Sequence, residues 1–277
     1  MQEVEPQVTR IRLSSWQGRL FGYEVSAYVL AGVLVDTGFA GVAGAFASAL
    51  DDLQPRGAVV THWHEDHAGN VPALAARGLP LRLHPGCEAI LRARPRIGLY
   101  RHVVWGQTPR LVAPIRPFDP APLVVVPLPG HSDDHLAVWD AERRILASGD
   151  LFLGVKVRVA HRRESPRRLL DSLRAAAALE PRQLLDAHRG PLTDAAARLR
   201  AKIAWLDETI GAISGRHARG DSARAVTRAV LGREEGVGYA SRGEYSKLAF
   251  VRALLDEEAV GDDTVVRSKP PLPGPQP

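Results

Sequence analysis

The sequence predicts a layered α/β protein followed by a small bundle of helices. Short apolar segments typical of β-strands alternate with segments of helical periodicity as far as Pro191. Several strand-like segments end in a loop that carries His or Asp. After Pro191 only helical patterns remain. A chain of 277 residues can bury a full core, as one large domain or one domain with an appendage.

The N-terminal part predicts hairpin strands and one helix. Alternating apolar residues indicate strands over residues 9–13, 25–30 and 32–35. The last of these ends at Asp36, which is followed by Thr37-Gly38, a combination typical of a turn. A helix is expected over residues 42–53.

The most informative stretch runs from Thr61 to Asn70, THWHEDHAGN. His62 and His64 lie two residues apart at the end of a strand, so they face the same way. Asp66 and His67 follow where the chain turns into a short helix. Imidazoles and carboxylates together suit zinc, iron or manganese. The zincin pattern, with two His four residues apart on a helix, is absent.

Three later segments have the same organisation, an apolar strand followed by a polar loop. Residues 124–128 lead to His131, residues 144–147 lead to Asp150, and residues 183–185 lead to His188. An amphipathic helix is expected over 165–179. If the strand ends share one sheet edge, these three side chains converge on the His62–His67 loop.

The insert at residues 85–122 and the C-terminal residues carry less readable patterns. The insert is rich in Arg and Pro and is expected to be irregular, either covering a pocket or having no role. Thr193 is expected to cap a long helix, residues 222–231 to form a second, and Ser241 to begin a third with a capping box. The predicted domains are residues 1–192, a helical, winged-helix-like extension at 193–262, and a disordered, Pro-rich tail at 263–277.

The order of these motifs resembles the metallo-β-lactamase superfamily. The pattern His62-x-His64-x-Asp66-His67 is followed by His131, Asp150 and His188 at ordinary spacings. The resemblance covers about residues 10–192 and implies a four-layer αββα sandwich with a binuclear site at one edge. The extension resembles, more loosely, the one in a hydrolase subgroup that includes a β-lactamase-like endoribonuclease.

The resemblance also implies roles for individual residues. His62, His64 and His131 would hold the first metal, Asp66, His67 and His188 the second, and Asp150 would bridge them; Asp66 would also handle the catalytic proton. An Asp at position 150 is typical of glyoxalase II, lactonases, nucleases and persulfide dioxygenases, so a true β-lactamase is not expected. Asp36 and His135 are expected to support the ligands from behind. Apart from the resemblance, the basic stretch of residues 156–163 follows Asp150 closely and would suit a carboxylate, phosphate or CoA-like group, with a solvated basic face as the alternative. Lys156, Arg158 and Tyr245 are the candidates for substrate contacts.

The leading functional prediction is a binuclear metal hydrolase. A hydroxide held by two divalent cations, zinc being favoured over iron or manganese, would attack an ester, thioester or lactone carbonyl. One alternative is a nuclease or phosphodiesterase acting on RNA, although aromatic residues make up only 6% of the chain. Others are a mononuclear iron dioxygenase and a binding module without catalysis.

Composition gives broader expectations about partners and location. The single cysteine, Cys87, excludes a disulfide framework and a cysteine-based zinc site. A net charge of +5 is compatible with an anionic substrate or with nucleic acid, but only four of the 36 basic residues are Lys, which indicates a codon bias instead. A small-molecule substrate is expected, and nucleic acid is not favoured. The N-terminus lacks a signal-peptide pattern and no apolar run spans a bilayer, so we expect a cytoplasmic protein and no membrane partner.

Overall fold

A six-stranded sheet forms the N-terminal half of the protein, which a computed structural model describes at residues 1–5, 7–15 and 22–267. Its strands are neighbours in chain order: β1 (Gln2–Glu5), β2 (Val8–Leu13), β3 (Val25–Leu30), β4 (Val33–Val35), β5 (Gly57–Val59) and β6 (Leu81–Arg82). The first four strands pair antiparallel, while β4, β5 and β6 run parallel to one another.

The second sheet has five strands, in the spatial order β12-β11-β9-β8-β7. The strands of the second half are β7 (Val124–Pro127), β8 (Leu136–Asp140), β9 (Ile145–Gly149), β10 (Ala160–His161), β11 (Gln183–Asp186), β12 (Gly190–Thr193) and β13 (Tyr245–Ser246). Strands β9 and β11 run parallel, and the other pairs of this sheet are antiparallel.

Ten α-helices surround the two sheets in the described residues. They are α1 (Ala43–Leu53), α2 (Glu65–Ala68), α3 (Val71–Ala76), α4 (Pro85–Ala93), α5 (Leu99–Val104), α6 (Pro166–Ala178), α7 (Ala195–His217), α8 (Ala223–Val230), α9 (Gly236–Ala240) and α10 (Lys247–Arg267). Ser165 and Ser222 cap α6 and α8 through their hydroxyl groups, as expected for helix N-termini. Within these residues no helix is long and apolar enough to cross a bilayer.

Three apolar clusters separate four layers of structure. One lies between the sheets and includes Tyr28 and Ile145. A second joins the first sheet to the outer helices through residues such as Phe46. The third joins the second sheet to α6 and α7 through Leu173 and Leu199. Strands such as β3 and β9 are buried along their whole length because both faces are covered. The predicted αββα sandwich is therefore confirmed.

The carboxyl ends of five strands meet at one edge of the sandwich. Strands β4 and β5 are parallel in the first sheet, and β7, β9 and β11 point the same way in the second. Hydrogen bonds tie the sheets together at this edge: the backbone N–H of Leu136 donates to Thr61 O at 2.7 Å, and that of Ser26 to Ala187 O at 2.7 Å. The loops that follow these strands are thus held side by side.

The C-terminal extension packs on the second sheet and reaches the same edge. Helix α7 packs along α6, and α8 and α10 pack against α7. Strand β13 pairs antiparallel with β10, placing Tyr245 opposite His161. After β12 the extension contributes this single short strand, so among the described residues it has no hairpin that could form the expected wing.

Several predicted boundaries differ from the structure. Thr193 does not cap a helix, because it pairs with Gln183 in β12, and Asp194 precedes α7 instead. The Ser241 hydroxyl accepts from the backbone N–H of Tyr245, so the last helix begins at Lys247. The insert holds α4 and α5, and it is irregular between these two helices and after the second one. Helix α10 includes residues 263–267 of the predicted tail, and residues 268–277 lie outside the described residues.

Candidate metal centre

The His-rich loop between β5 and α3 forms the centre of the site. His62 and His64 follow the strand, and the short helix α2 places Asp66 and His67 beneath them. All four side chains are buried. The loop is pinned from the second sheet, because the backbone N–H of Trp63 donates to Asp134 Oδ2 at 2.9 Å.

Four buried side chains form a first donor set, His62, His64, His131 and Asp150. One nitrogen or oxygen from each lies within 4.8 Å of the others. His64 Nδ1 lies 2.9 Å from His62 Nε2 and 3.0 Å from His131 Nε2, and His131 Nε2 lies 3.4 Å from Asp150 Oδ2. The structure therefore brings together the side chains predicted for one metal.

A second donor set lies beside the first and consists of Asp66, His67 and His188. His188 Nε2 is 3.2 Å from Asp66 Oδ2, and His67 Nε2 is 3.7 Å from the same oxygen. Asp150 Oδ1 faces this set, at 3.2 Å from His67 Nε2 and 3.4 Å from His188 Nε2. Asp150 thus presents one carboxylate oxygen to each donor set.

Gly149 allows Asp150 to sit between the two sets. Its φ of +49° lies in the left-handed region, and a Cβ there would be 2.8 Å from Thr61 Oγ1 and 2.9 Å from His135 Nε2. The backbone N–H of Asp150 donates to His135 Nε2 at 3.2 Å. Burial lowers the pKa of His135 to about 3, so its ring is neutral and this nitrogen accepts. His135 supports the loop from behind.

Other buried groups fix the ring nitrogens that face the centre. His67 Nδ1 donates to Asp36 Oδ2 at 2.8 Å, and His188 Nδ1 donates to the carbonyl of Glu24 at 2.9 Å. With those protons on Nδ1, both Nε2 lone pairs face the donor sets. Asp36 is itself held by the backbone N–H of Thr61, which donates to Oδ1 at 2.7 Å.

The residues present fit a pair of cations on two grounds. Imidazole nitrogens about 3 Å apart repel each other unless a proton or a cation lies between them, and His67 Nε2 and Asp150 Oδ1 are buried without a hydrogen-bond partner in the described chain. Burial lowers the pKa of His62 far below its usual value, as neutral metal ligands require. Burial also lowers the pKa of His67, but the negative charges of Asp150 and Asp66 have the larger combined effect, so the pKa of His67 is raised.

A comparison with known protein families identifies this arrangement. Residues 21–210 match the metallo-β-lactamase superfamily model. The chain belongs to the metallo-β-lactamase superfamily. A metallo-β-lactamase family protein from Thermus thermophilus has the same fold, with a TM-score of 0.66, 20% sequence identity and 95% of each chain covered.

Two curated relatives of this superfamily chain are named as a thioesterase and as a hydrolase. An atrochrysone carboxyl ACP thioesterase from Claviceps purpurea (strain 20.1) is 35% identical over 97 residues, which cover 35% of this chain and 27% of the relative. A hydroxyacylglutathione hydrolase from Stenotrophomonas maltophilia (strain R551-3) is 38% identical over 120 residues, covering 43% of this chain and 41% of the relative. The matches thus span less than half of either relative's length.

An open cleft of about 330 Å³ leads to the two donor sets of this superfamily member. Besides the donor loops, its walls include Tyr23 before β3, Tyr100 and Trp105 from the insert, Val157 and Val159 from the segment before β10, and Tyr245 from the extension. The insert therefore lines the pocket, which decides between the two alternatives that its sequence left open.

The predicted substrate contacts divide between the cleft and the outer surface. Tyr245 lines the cleft, and its hydroxyl group has no hydrogen-bond partner among the described residues. Lys156 and Arg158 are exposed and do not line the cleft, because the extended chain directs the alternate residues Val157 and Val159 inward. The proposal that these two basic side chains bind substrate is therefore not supported by their positions.

A buried ion pair supports the ligand loop from the insert. Arg101 of α5 makes a two-pronged contact with Glu65, with Nε donating to Oε2 at 2.9 Å and Nη2 to Oε1 at 2.8 Å. Its guanidinium group lies 4.7 Å from the centre of the Trp63 ring. Burial raises the pKa of Glu65 to about 7 even with Arg101 beside it. Sequence reasoning did not find this pair, because its members lie 36 residues apart in no shared motif.

Sequence reasoning also missed Glu164 and Lys202, two charged side chains outside the ligand motifs that support a ligand or its loop. Glu164 Oε2 lies 3.4 Å from His131 Nδ1 and orients that ring. Lys202 of α7 is buried, and its ammonium group donates to the carbonyls of Leu151, at 3.1 Å, and Phe152, directly after Asp150. A lysine on the apolar face of a predicted helix was the available signal for Lys202.

Proposed function

We propose that the protein is a hydrolase of acyl thioesters that uses two divalent cations, with zinc as the favoured metal. The observation that carries this proposal is the position of Asp150, whose two carboxylate oxygens face separate donor sets at the end of the open cleft. A carboxylate in this position suits a site in which two cations act together on one water and one substrate.

The chemistry of hydrolysis requires an activated water and a place for its proton. Two bound cations would supply a nucleophilic water near neutral pH and polarise the acyl oxygen. Asp66 is our candidate to accept the proton, since its carboxylate lines the cleft beside His188. The reaction forms a C–O bond and breaks the C–S bond, releasing a carboxylic acid and a free thiol, so no oxidant or reductant is needed.

Tyr245 is the side chain best placed to donate a hydrogen bond to the substrate. Its ring contacts those of Tyr100 and His161, with centroids 6.1 and 5.3 Å away, which fixes it in the wall of the cleft. Burial raises the pKa of Tyr245 well above its usual value, so the phenol keeps its proton. Its unpartnered hydroxyl group can then donate to the acyl oxygen or to the leaving sulfur.

The lining of the cleft favours an apolar acyl group, and the names of the relatives favour a thioester over other acyl compounds. Valine and aromatic side chains in the cleft suit an apolar acyl chain better than a charged one. Both relatives described above carry names that refer to thioester chemistry. The proposed substrate is therefore an acyl thioester small enough for the acyl group to fill a cleft of about 330 Å³.

The first experiment combines metal content with thiol release. Protein purified without chelator is analysed for metals, and hydrolysis of S-acetyl-N-acetylcysteamine is followed by a thiol reagent. We expect about two divalent metals per chain and turnover that a chelator abolishes. One iron with no second metal would overturn the proposal and favour a dioxygenase, and turnover that survives chelation would overturn the role of the metals.

A matched pair of variants tests the role of Asp66. Replacing a catalytic acid or base typically lowers the rate by about 10²- to 10⁴-fold, which is the loss in kcat we expect for Asp66→Asn. Asp133→Asn makes the same chemical change at an exposed carboxylate that pairs with Arg168 on the surface, and its kcat should equal that of the wild type. Equal activity of both variants would contradict the assignment of Asp66.

A further inference from the structure

A second cleft, which we call the arginine cleft, lies beside the cleft that holds the metal centre. Its volume is about 830 Å³. Three parts of the chain supply its basic side chains: Arg96 from the insert, Arg162 and Arg163 from the turn after β10, and Arg242 and Arg252 from the extension. No motif in the sequence brings these five residues together, since only the folded chain makes them neighbours.

The five guanidinium groups are exposed and have no ion-pair partner among the described residues. Many other surface arginines are paired, such as Arg174 with Asp207 and Arg182 with Glu5. Two carboxylates also line the arginine cleft, and one of them, Glu244, faces His161 at 3.5 Å. The cleft therefore carries an excess of positive charge that the protein itself does not neutralise.

The two clefts share a wall, so one elongated ligand can occupy both. Arg101 lines both of them. His161 lines the arginine cleft, and its ring contacts that of Tyr245, which lines the other cleft, with the ring centroids 5.3 Å apart. A molecule with its reactive group at the metal centre can thus extend past this wall with its other end among the arginines.

We propose that the arginine cleft binds the phosphate groups of a thiol carrier whose acyl thioester lies at the metal centre. This inference rests on the proposed thioesterase function and names the class of thiol that the substrate contains. Guanidinium groups match phosphate oxygens in planar, two-pronged contacts, and five of them exceed what one carboxylate requires. Single-stranded RNA is less well matched, because Trp63 is the one ring of Phe, Tyr or Trp that lines the cleft in the described chain.

The test compares two substrates that share an acyl group and differ in their phosphates. Acetyl coenzyme A carries phosphates, and S-acetyl-N-acetylcysteamine carries none. The double variant Arg162→Ala/Arg252→Ala removes one guanidinium from each of two walls. Exposed ion pairs contribute little individually, so we expect a loss of about tenfold in kcat/KM for acetyl coenzyme A, mainly through KM. Hydrolysis of the phosphate-free thioester should stay within about twofold of wild type.

A charge-matched control separates local binding from general electrostatics. Arg200→Ala/Arg219→Ala removes the same charge from exposed positions that line neither cleft, and both substrates should then behave as with the wild type. An unchanged kcat/KM for acetyl coenzyme A in Arg162→Ala/Arg252→Ala, or an equal loss for both substrates, would overturn the inference. An equal loss in the control double variant would do the same.

A binding measurement keeps this inference apart from the proposed function. Coenzyme A, which has no thioester bond to hydrolyse, is titrated calorimetrically into the wild type and into Arg162→Ala/Arg252→Ala. Weaker binding to the variant supports the inference even if no thioester is cleaved, whereas failure to cleave the phosphate-free thioester counts only against the proposed function. If a single-stranded RNA oligonucleotide binds in an Arg162- and Arg252-dependent manner and coenzyme A does not bind, the cleft belongs to RNA and the inference is wrong.

Discussion

The ion pair between Arg101 and Glu65 allows a quantitative test of how the insert supports the ligand loop. Both side chains are nearly buried, with 5% and 3% of their surfaces exposed, and the contact is two-pronged. Arg101→Met removes the cation while keeping much of the apolar volume. It leaves the Glu65 carboxylate buried, between His64 and Asp66, without its partner.

The expected cost follows from the burial of the pair. Removing one member of a buried ion pair costs about 3 to 5 kcal/mol, because the remaining charge is left uncompensated. We take the lower end, about 3 kcal/mol, since Arg101 borders two open clefts that admit water. In the same insert, Arg92 pairs with Glu88 at 2.8 Å with both side chains more than a third exposed, so Arg92→Met should cost under about 1 kcal/mol.

Urea unfolding of the metal-free proteins measures these free energies directly. The double variant Glu65→Gln/Arg101→Met should recover most of the loss, because the unpaired charge is gone. Because Glu65 adjoins two ligands, the single variant should also bind metal about 10- to 100-fold more weakly in a chelator competition. If Arg101→Met unfolds no more easily than Arg92→Met, the assignment of Arg101 as a support of the ligand loop is refuted.

Three further changes probe the surroundings of the site. Asp36→Asn keeps a single acceptor oxygen, which cannot serve both the Thr61 N–H and the His67 Nδ1–H, so metal affinity should fall about 10- to 100-fold by chelator competition; an unchanged affinity would contradict this role. Gly149→Ala forces a side chain to within 2.8 Å of Thr61 at a left-handed φ, and elemental analysis should find less than the wild-type metal content; full occupancy would show that the loop adapts. Burial lowers the pKa of Lys202 to about 8 from 10.5, so between these pH values the unfolded chain binds more protons and wild-type stability rises with pH. Against Lys202→Met, the wild type should gain up to about 1.4 kcal/mol per pH unit in unfolding free energy within this window, and parallel stability curves would refute the pKa.

The sequence predicted those features that local chemistry determines. The His62–His67 loop could be recognised because four metal-binding side chains within six residues are costly without a cation, and the strand-then-loop pattern placed His131, Asp150 and His188 at the same edge. The four-layer fold followed from the family resemblance rather than from periodicity. The positions of these side chains in two donor sets agree with the roles that the resemblance implied, which remain to be tested by metal binding.

Features that depend on tertiary contacts could not be predicted from the sequence. Ser241 has the sequence of a capping box, but its hydroxyl group binds the backbone of Tyr245 because β13 pairs with β10 at that point. Thr193 lies in a strand because Gln183 is opposite, a pairing that no local propensity encodes. The sequence placed the basic stretch of residues 156–163 near the mouth of the site, but it could not join Arg162 and Arg163 to the arginines of two distant segments.

The pairing of β10 with β13 has a consequence for how this protein can acquire new specificities. Two residue pairs hold the extension against the catalytic edge, and they carry Tyr245 into the wall of the substrate cleft. Exposed and cleft-lining residues within 223–267 can therefore change in sequence, and with them the groups that we propose meet the substrate, while the seven proposed ligands stay in place on the sandwich. Selection for a different thiol or acyl chain then acts on one part of the chain and selection for hydrolysis on another.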